Sequence, residues 1–330
     1  MASVIRMMER MPLWKEFDCY WLGTQIQRNY AWKMWYALKA YFIALFIIWR
    51  YDIVHFHTVP DRICLIIQLP ILLLAKIGRK KVLIHLHVGN QLESHIQHKF
   101  FLWYLDQADA IAVLAKKWKI LLKEKYVNVS APVFVVYNAC EPALSLPYIE
   151  HEKSILFAGA LRPNKACKLI LEAYAKIKSK FPDWHINIVG SGIEEENLKH
   201  QTQILKLEDA VIFTGQLSRE ETRKYFQKAG IYCMCSYVEG FPMVVLEAWT
   251  YGVPVISTPV GGLPEVIHEG KNICTFPFGD ADALSKKLAM LMGNDELRIE
   301  MSTYSQDFVH THFSLDKIND SFRTLYKKIV

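Results

Sequence analysis

The sequence predicts an α/β protein of two Rossmann-like, doubly wound domains in tandem, and three observations predict it. Short β-branched runs alternate with longer helical stretches, the pattern of parallel sheets covered by helices on both faces. The alternation stops at 139–153, "ACEPALSLPYIEHEK", which holds two prolines and no periodicity, and then restarts. The 330 residues, 52% hydrophobic and 22% charged, suffice to bury two cores and do not describe a disordered chain.

In the first half the expected strands are 17–22 (FDCYWL), 52–57 (DIVHFH), 81–87 (KVLIHLH), 110–115 (AIAVLA) and 133–138 (VFVVYN). After the linker they are 154–159 (SILFAG), 185–190 (HINIVG), 210–215 (AVIFTG), 231–236 (IYCMCS), 254–258 (PVIST) and 272–276 (NICTF). Helical stretches fill the gaps, and two or three more close the chain after 280. The expected division is 1–145, 146–310 and a final helix, 311–330, crossing back to the first domain. Two such domains face a cleft, and ligands of such sheets sit beyond the carboxyl ends of the strands.

The net charge of +6 is unevenly spread. Residues 1–150 carry 18 Lys and Arg against 11 Asp and Glu, together with seven of the nine tryptophans. That half suits contact with anionic material, membrane phosphates first, or is simply a solvated basic face. "AWKMWYALKAYFIALFIIWR" and "ICLIIQLPILLLA" are broken by Lys33 and Lys39 and by Pro70. Neither reaches the roughly 20 apolar residues of a membrane span. Both read as helices packed on a sheet, with an interfacial position for the first as the alternative. No signal-peptide pattern heads the chain. Seven cysteines without CxxC spacing point to reduced thiols, and Cys233 and Cys235 share one face of a strand.

The chemistry concentrates at 237–252, "YVEGFPMVVLEAWTYG". "SYVEGF" is a loop leaving a strand, and Pro242 suits the first position of the helix that follows. The amides of Phe241, Met243 and Val244 then form a helix N-terminus ready for phosphate. Glu247 sits among Val244, Val245, Leu246, Ala248 and Trp249, where an unpartnered carboxylate is costly. Its partner is either an internal Lys or Arg or the vicinal diol of a ribose. Glu239 is either a solvated loop residue or a ligand of sugar hydroxyls. "GDADAL" contains a D-x-D pattern that reads as a helix N-cap rather than a metal site.

"EGFPMVVLE" followed by "AWTYGVPVISTPVGGLPEVI" resembles the E-x7-E signature of retaining glycosyltransferases of family 4, which have the GT-B fold. The resemblance implies that Glu247 binds the nucleotide ribose, that Glu239 contacts the transferred sugar and that amides around Gly240–Val244 bind the diphosphate. Pro242 stands where the family often has Gly. "FAGALRPNKACKLILEA" resembles the family's phosphate-binding strand–loop–helix, which assigns Lys165 to the leaving diphosphate. Ala160 occupies the usual arginine position, leaving Arg162 as its substitute, and Ala166 occupies that of a glycine. "IVGSG" supplies Gly190 in a G-x-G turn, and Gly215 ends a neighbouring strand. "DIVHFHT" and "VLIHLHVGN" resemble the paired strand ends that place a histidine near the acceptor side, which maps to His87 before Gly89, and more weakly to His57.

The family's opening strand and Gly-Gly loop have no counterpart, so we expect Met1 to be an internal methionine of a longer chain, with a gap left in the first sheet. The implied function is a retaining transfer of sugar from a nucleotide-diphosphate sugar to a glycan or lipid-linked acceptor in cell-surface polysaccharide synthesis. No metal, other cofactor or nucleic acid is expected, and the implied location is cytoplasmic, peripheral on the inner membrane face. The rival readings are a sugar-nucleotide epimerase of the same fold and a non-catalytic partner subunit.

Overall fold

The computed structural model describes residues 2–24, 30–87, 91–96, 98–125, 130–140 and 151–330. Its strands are β1 (Ile53–Thr58), β2 (Lys81–Leu86), β3 (Ala110–Val113), β4 (Val133–Val135), β5 (Glu152–Ala158), β6 (His185–Val189), β7 (Val211–Gly215), β8 (Ala229–Met234), β9 (Val255–Ser257) and β10 (Cys274–Thr275). The helices of the first half are α1 (Ala2–Met8), α2 (Leu13–Glu16), α3 (Tyr30–Ile47), α4 (Arg62–Ile77), α5 (Gln91–His95), α6 (Lys99–Asp106) and α7 (Lys116–Lys125). Those of the second are α8 (Lys168–Ala175), α9 (Glu195–Ile204), α10 (Arg219–Lys228), α11 (Met243–Thr250), α12 (Ala281–Met292), α13 (Asp295–Phe313) and α14 (Leu315–Ile329).

The chain divides into two compact units, Met1–Asn138 with Leu315–Val330 and Ala139–Ser314. Most of the expected linker, including the 145/146 boundary, lies outside the described residues.

The first unit holds a parallel four-stranded sheet in the order β1-β2-β3-β4. Its core joins Ile84 and Ile111 of the sheet to Leu72, Tyr104 and Trp118 of the helices, all fully buried. The expected strand 17–22 does not form. Asp18 takes a left-handed conformation with φ 45°, and the Cys19 amide donates back to Trp14, so the chain turns where a strand would run straight. Phe17 instead packs edge-on against Tyr326 of α14, their centroids 5.3 Å apart. Gly89, which follows His87, lies outside the described residues.

Helix α3 departs from the reading as an ordinary core helix. It buries Ala37, Ala40 and Ala44, a stripe of small residues that lets its backbone approach the core closely, and Ile48 of the following turn extends that stripe. Its large side chains point outward: Trp35, Leu38, Phe42 and Phe46 are each more than half exposed. A helix apolar on every side cannot announce in sequence which face it will bury.

The second unit carries a parallel six-stranded sheet in the order β10-β9-β8-β5-β6-β7. Its inner strands read as unbroken apolar runs because helices cover both faces. Cys233 and Cys235 do share a face, their sulfurs 3.8 Å apart, and all seven cysteines are free thiols. Asp280 caps α12 by accepting from the Ala283 amide at 2.8 Å, as the local pattern requires.

Candidate active site

In the second unit the strand ends β5, β6, β8 and β9 deliver four loops to one place. The β8–α11 loop carries Glu239 and is held on two sides. The Tyr237 amide donates to Asn164 at 3.1 Å, and the Gly262 amide donates to Gly240 at 2.8 Å. Gly261 makes the second contact feasible. It adopts φ +63°, and a Cβ there would stand 2.5 Å from the Gly240 oxygen and 2.6 Å from the Glu239 oxygen. Only a residue without a Cβ allows this approach. Gly261 falls within the segment AWTYGVPVISTPVGGLPEVI, but its steric role is visible only in the folded loops.

Lys165 ends a short 3-10 turn, Pro163–Lys165, after β5. Its ammonium donates to Glu239, and the two side chains are 24% and 14% exposed. Residues 74 positions apart in sequence, which the resemblance assigns separately to diphosphate and to sugar, therefore form an ion pair. Ala166, where the family usually has glycine, is left-handed at φ 44°, ψ 40°, so the turn demands that conformation regardless of the side chain. Arg162 lies exposed at the start of the same turn. Gly190 follows β6, its amide donating to Gly215 at 2.9 Å, and a Cβ on it would stand 1.9 Å from the Gly159 oxygen. The β5 and β6 loops thus touch backbone to backbone.

Pro242 is the N-cap of α11, one position earlier than expected, and Met243 opens the helix. Val245 is the first donor with a turn partner, to Pro242 at 3.2 Å. The amides of Met243 and Val244 precede it at the positive end of the helix. Phe241 is buried and packs on Phe313 at 5.4 Å, which anchors the loop's end. Trp249 fixes the helix body by donating its indole N–H to Asn272 at 2.7 Å.

Glu247 lies on α11 facing a cavity of about 260 Å³ lined also by Gln216, Arg219, Thr222, Arg223 and Tyr251. Burial raises its carboxyl pKa, and the positive charges of Arg219 and Arg223 only partly offset that. The arginines were not singled out from sequence, although a signal existed. Ser218 and Glu221 form a reciprocal capping box that starts α10, and residues 219, 222, 223 and 226 at helical spacing then share the face toward the cavity. Glu239 and Glu247 both act on buried Tyr232, whose hydroxyl pKa rises chiefly through burial and further through these two charges.

In the first unit His87 follows β2, its amide donating to Thr58 at 2.8 Å. Its Nε2 is 2.8 Å from Nδ1 of His57, and burial holds the pKa of both rings well below the usual histidine range.

Two parallel, helix-covered sheets with phosphate-ready loops at the strand ends define the GT-B glycosyltransferase fold, and solved structures agree. HepE from Anabaena in complex with UDP superimposes with a TM-score of 0.74 at 17% identity, over 89% of this chain and 82% of that one. Sucrose-phosphate synthase from Thermosynechococcus elongatus gives 0.73 at 21% identity, over 93% and 81%. Residues 146–308, most of the second unit, match the sequence model described as glycosyl transferases group 1. An uncharacterized glycosyltransferase of Haemophilus influenzae is 30% identical over 216 residues, 65% of this chain and 60% of that protein. The N-acetyl-alpha-D-glucosaminyl L-malate synthase of Bacillus anthracis is 29% identical over 181 residues, 55% of this chain and 47% of that protein. The chain therefore spans less than two thirds of the length of these curated relatives.

Proposed function

We propose that this protein transfers a sugar, with retention of anomeric configuration, from a nucleotide-diphosphate sugar to a hydroxyl of a glycan or lipid-linked acceptor. The observation that carries the reading is Glu247, a largely buried carboxylate facing an open cavity. Two ribose hydroxyls would give it the donors its burial calls for. The structural neighbour HepE binds UDP-glucose, which supports a nucleotide-sugar donor of this kind.

The Lys165–Glu239 pair gives the transfer its logic. A diphosphate arriving at the α11 N-terminus competes for the Lys165 ammonium, and the released Glu239 is then able to accept hydrogen bonds from sugar hydroxyls. Lys165, with Arg162 on the same turn and the amides of Met243 and Val244, neutralises the charge that grows on the leaving diphosphate. Gly190 lets the β6 loop close on the backbone of Gly159, and Gly190 and Gly215 are assigned to donor binding on the family resemblance. His87 is assigned to the transferred sugar on the family resemblance. These groups supply the charge stabilisation without a metal or organic cofactor.

The protein acts in surface-polysaccharide synthesis at the inner membrane face, and the outward face of α3 supports the membrane contact in that reading. Phe42 and Phe46 are 65% and 66% exposed, and Ile63 and Ile77 of α4 are 67% and 74% exposed. Such a surface beside Lys33 and Lys39 suits an anionic bilayer interface. Among the described residues no helix is long and apolar enough to cross a membrane. Co-sedimentation with anionic vesicles tests the contact: replacing Phe42 and Phe46 by serine should release the protein, and unchanged sedimentation would refute it.

Activity is tested by incubating the purified chain with UDP-, GDP- and ADP-sugars, with and without lipid-linked acceptors, and following sugar and nucleotide release. Transfer with retention supports the reading. Interconversion of sugars without acceptor would favour an epimerase, and nucleotide binding without turnover a partner subunit.

A further inference from the structure

The first unit contains a histidine cluster of which the proposed transfer uses only His87. Strands β1 and β2 are parallel neighbours, with His57 opposite His85 in register. The two-residue period of a strand puts His55 and His57 on the same face as His85 and His87. The rings form a two-by-two array, with centroids 4.3 Å apart for His55 and His57 and 4.3 Å for His85 and His87. Three aromatic side chains surround it: Trp21 stands edge-on to His57 at 5.9 Å, and Phe322 and Tyr326 reach it from α14.

The hydrogen bonding of this array is incomplete in a specific way. Tyr326 takes Nδ1 of His55 at 2.8 Å, which fixes the ring and leaves Nε2 buried without a partner. His85 is 1% exposed, and both of its ring nitrogens are buried without a partner. Buried imidazole nitrogens are not usually left so. The rings are kept neutral by burial, so they offer lone pairs rather than charge and do not form an anion site.

We propose that His55, His57 and His85 bind a divalent transition-metal ion of the zinc type. One ring nitrogen from each lies within 4.8 Å of the others. Nitrogen ligands about 2.0–2.1 Å from a tetrahedral ion stand roughly 3.3–3.4 Å apart, so rotations must draw the farthest pair together by up to about 1.5 Å, within the reach of side-chain torsions. All-imidazole ligation suits zinc, copper, nickel and cobalt rather than magnesium or calcium. The supporting contacts are of the kind that orient metal-bound histidines: the Tyr326 hydroxyl on Nδ1 of His55, and His87 on Nδ1 of His57. With His57 Nδ1 engaged, its Nε2 is the nitrogen left for the ion. The site lies wholly within the first unit, and the inference stands whether or not the proposed transfer does.

The test uses the full chain without a polyhistidine tag, stripped with a chelator. Zinc is titrated calorimetrically and by thermal shift, and cobalt(II) is followed by its visible absorption, which reports coordination directly. The expected result is about one ion per chain and a raised melting temperature. Affinity should fall at least tenfold in His55→Leu and in His85→Leu. In Tyr326→Phe, which keeps the packing but removes the support of His55, it should fall about 10- to 100-fold. If a leucine variant fails to fold, as judged by circular dichroism, Tyr326→Phe decides. Absence of zinc, cobalt, nickel and copper binding in the parent chain, or binding that these substitutions leave unchanged, overturns the proposal and leaves the nitrogens to ordered water.

Discussion

The two clusters of polar residues in this protein are balanced in opposite ways. In the second unit charge faces charge: Lys165 pairs with Glu239, and Arg219 and Arg223 partly offset the burial of Glu247. In the first, the β1–β2 face gathers neutral imidazoles, and the ring nitrogens of His85 are matched by nothing among the described residues. A site for a charged, mobile ligand can hold its own counter-charges and exchange them when the ligand arrives. A site of neutral lone pairs needs its ligand to be satisfied at all.

The first way to break this comparison is at the exchanged charge. Lys165→Ala should lower kcat for sugar transfer by about 10²- to 10³-fold, the usual cost of losing a donor to developing charge. Binding of the nucleoside portion should change little, because the cavity beside Glu247 is built from other residues. Steady-state kinetics together with titration of the nucleoside monophosphate separate the two effects.

The balance at Gly261 is steric. Gly261→Ala should cost about 2 kcal/mol in denaturant unfolding, because the added methyl meets the backbone oxygens of Glu239 and Gly240 at positive φ. Transfer should fall with it, since the displaced loop carries Glu239. The converse change, Ala166→Gly, should raise stability by less than about 1 kcal/mol. It relieves a left-handed alanine but loses a buried methyl and adds chain entropy.

The carboxyl of Glu247 sharpens the contrast through pH. Its folded-state pKa is raised from 4.5, so the folded state holds its proton more tightly than the unfolded chain does. That contribution is full below the unfolded value and is lost as pH rises through the folded one. Glu247→Gln without ligand should therefore be the more stable form at neutral pH, and its advantage should vanish as pH drops below 4.5. Chemical denaturation at a series of pH values reads this directly.

The tandem α/β order was legible because each inner strand is an unbroken apolar run between helical periods. Residues 17–22 misled because Phe17, Tyr20 and Trp21 have strand propensity, whereas the left-handed turn at Asp18 is a backbone fact that composition does not carry. Glu239, Lys165 and Glu247 could be singled out by their motifs, but the ion pair between the first two joins loops that follow separate strands and appears only on folding. Arg219 and Arg223 were hidden for the opposite reason, since charged residues in the first two turns of a helix look like a solvated face until the facing helix is known. The outward aromatics of α3 were ambiguous because its buried stripe consists of alanines.

The central claim is most directly tested by titrating UDP, GDP and ADP into the parent chain and into Glu247→Gln by isothermal calorimetry. The account predicts that one of the three binds the parent and that the substitution weakens it by roughly 10- to 100-fold through loss of a charged hydrogen bond to ribose. Equal affinity in both proteins, or no binding by the parent, would contradict it.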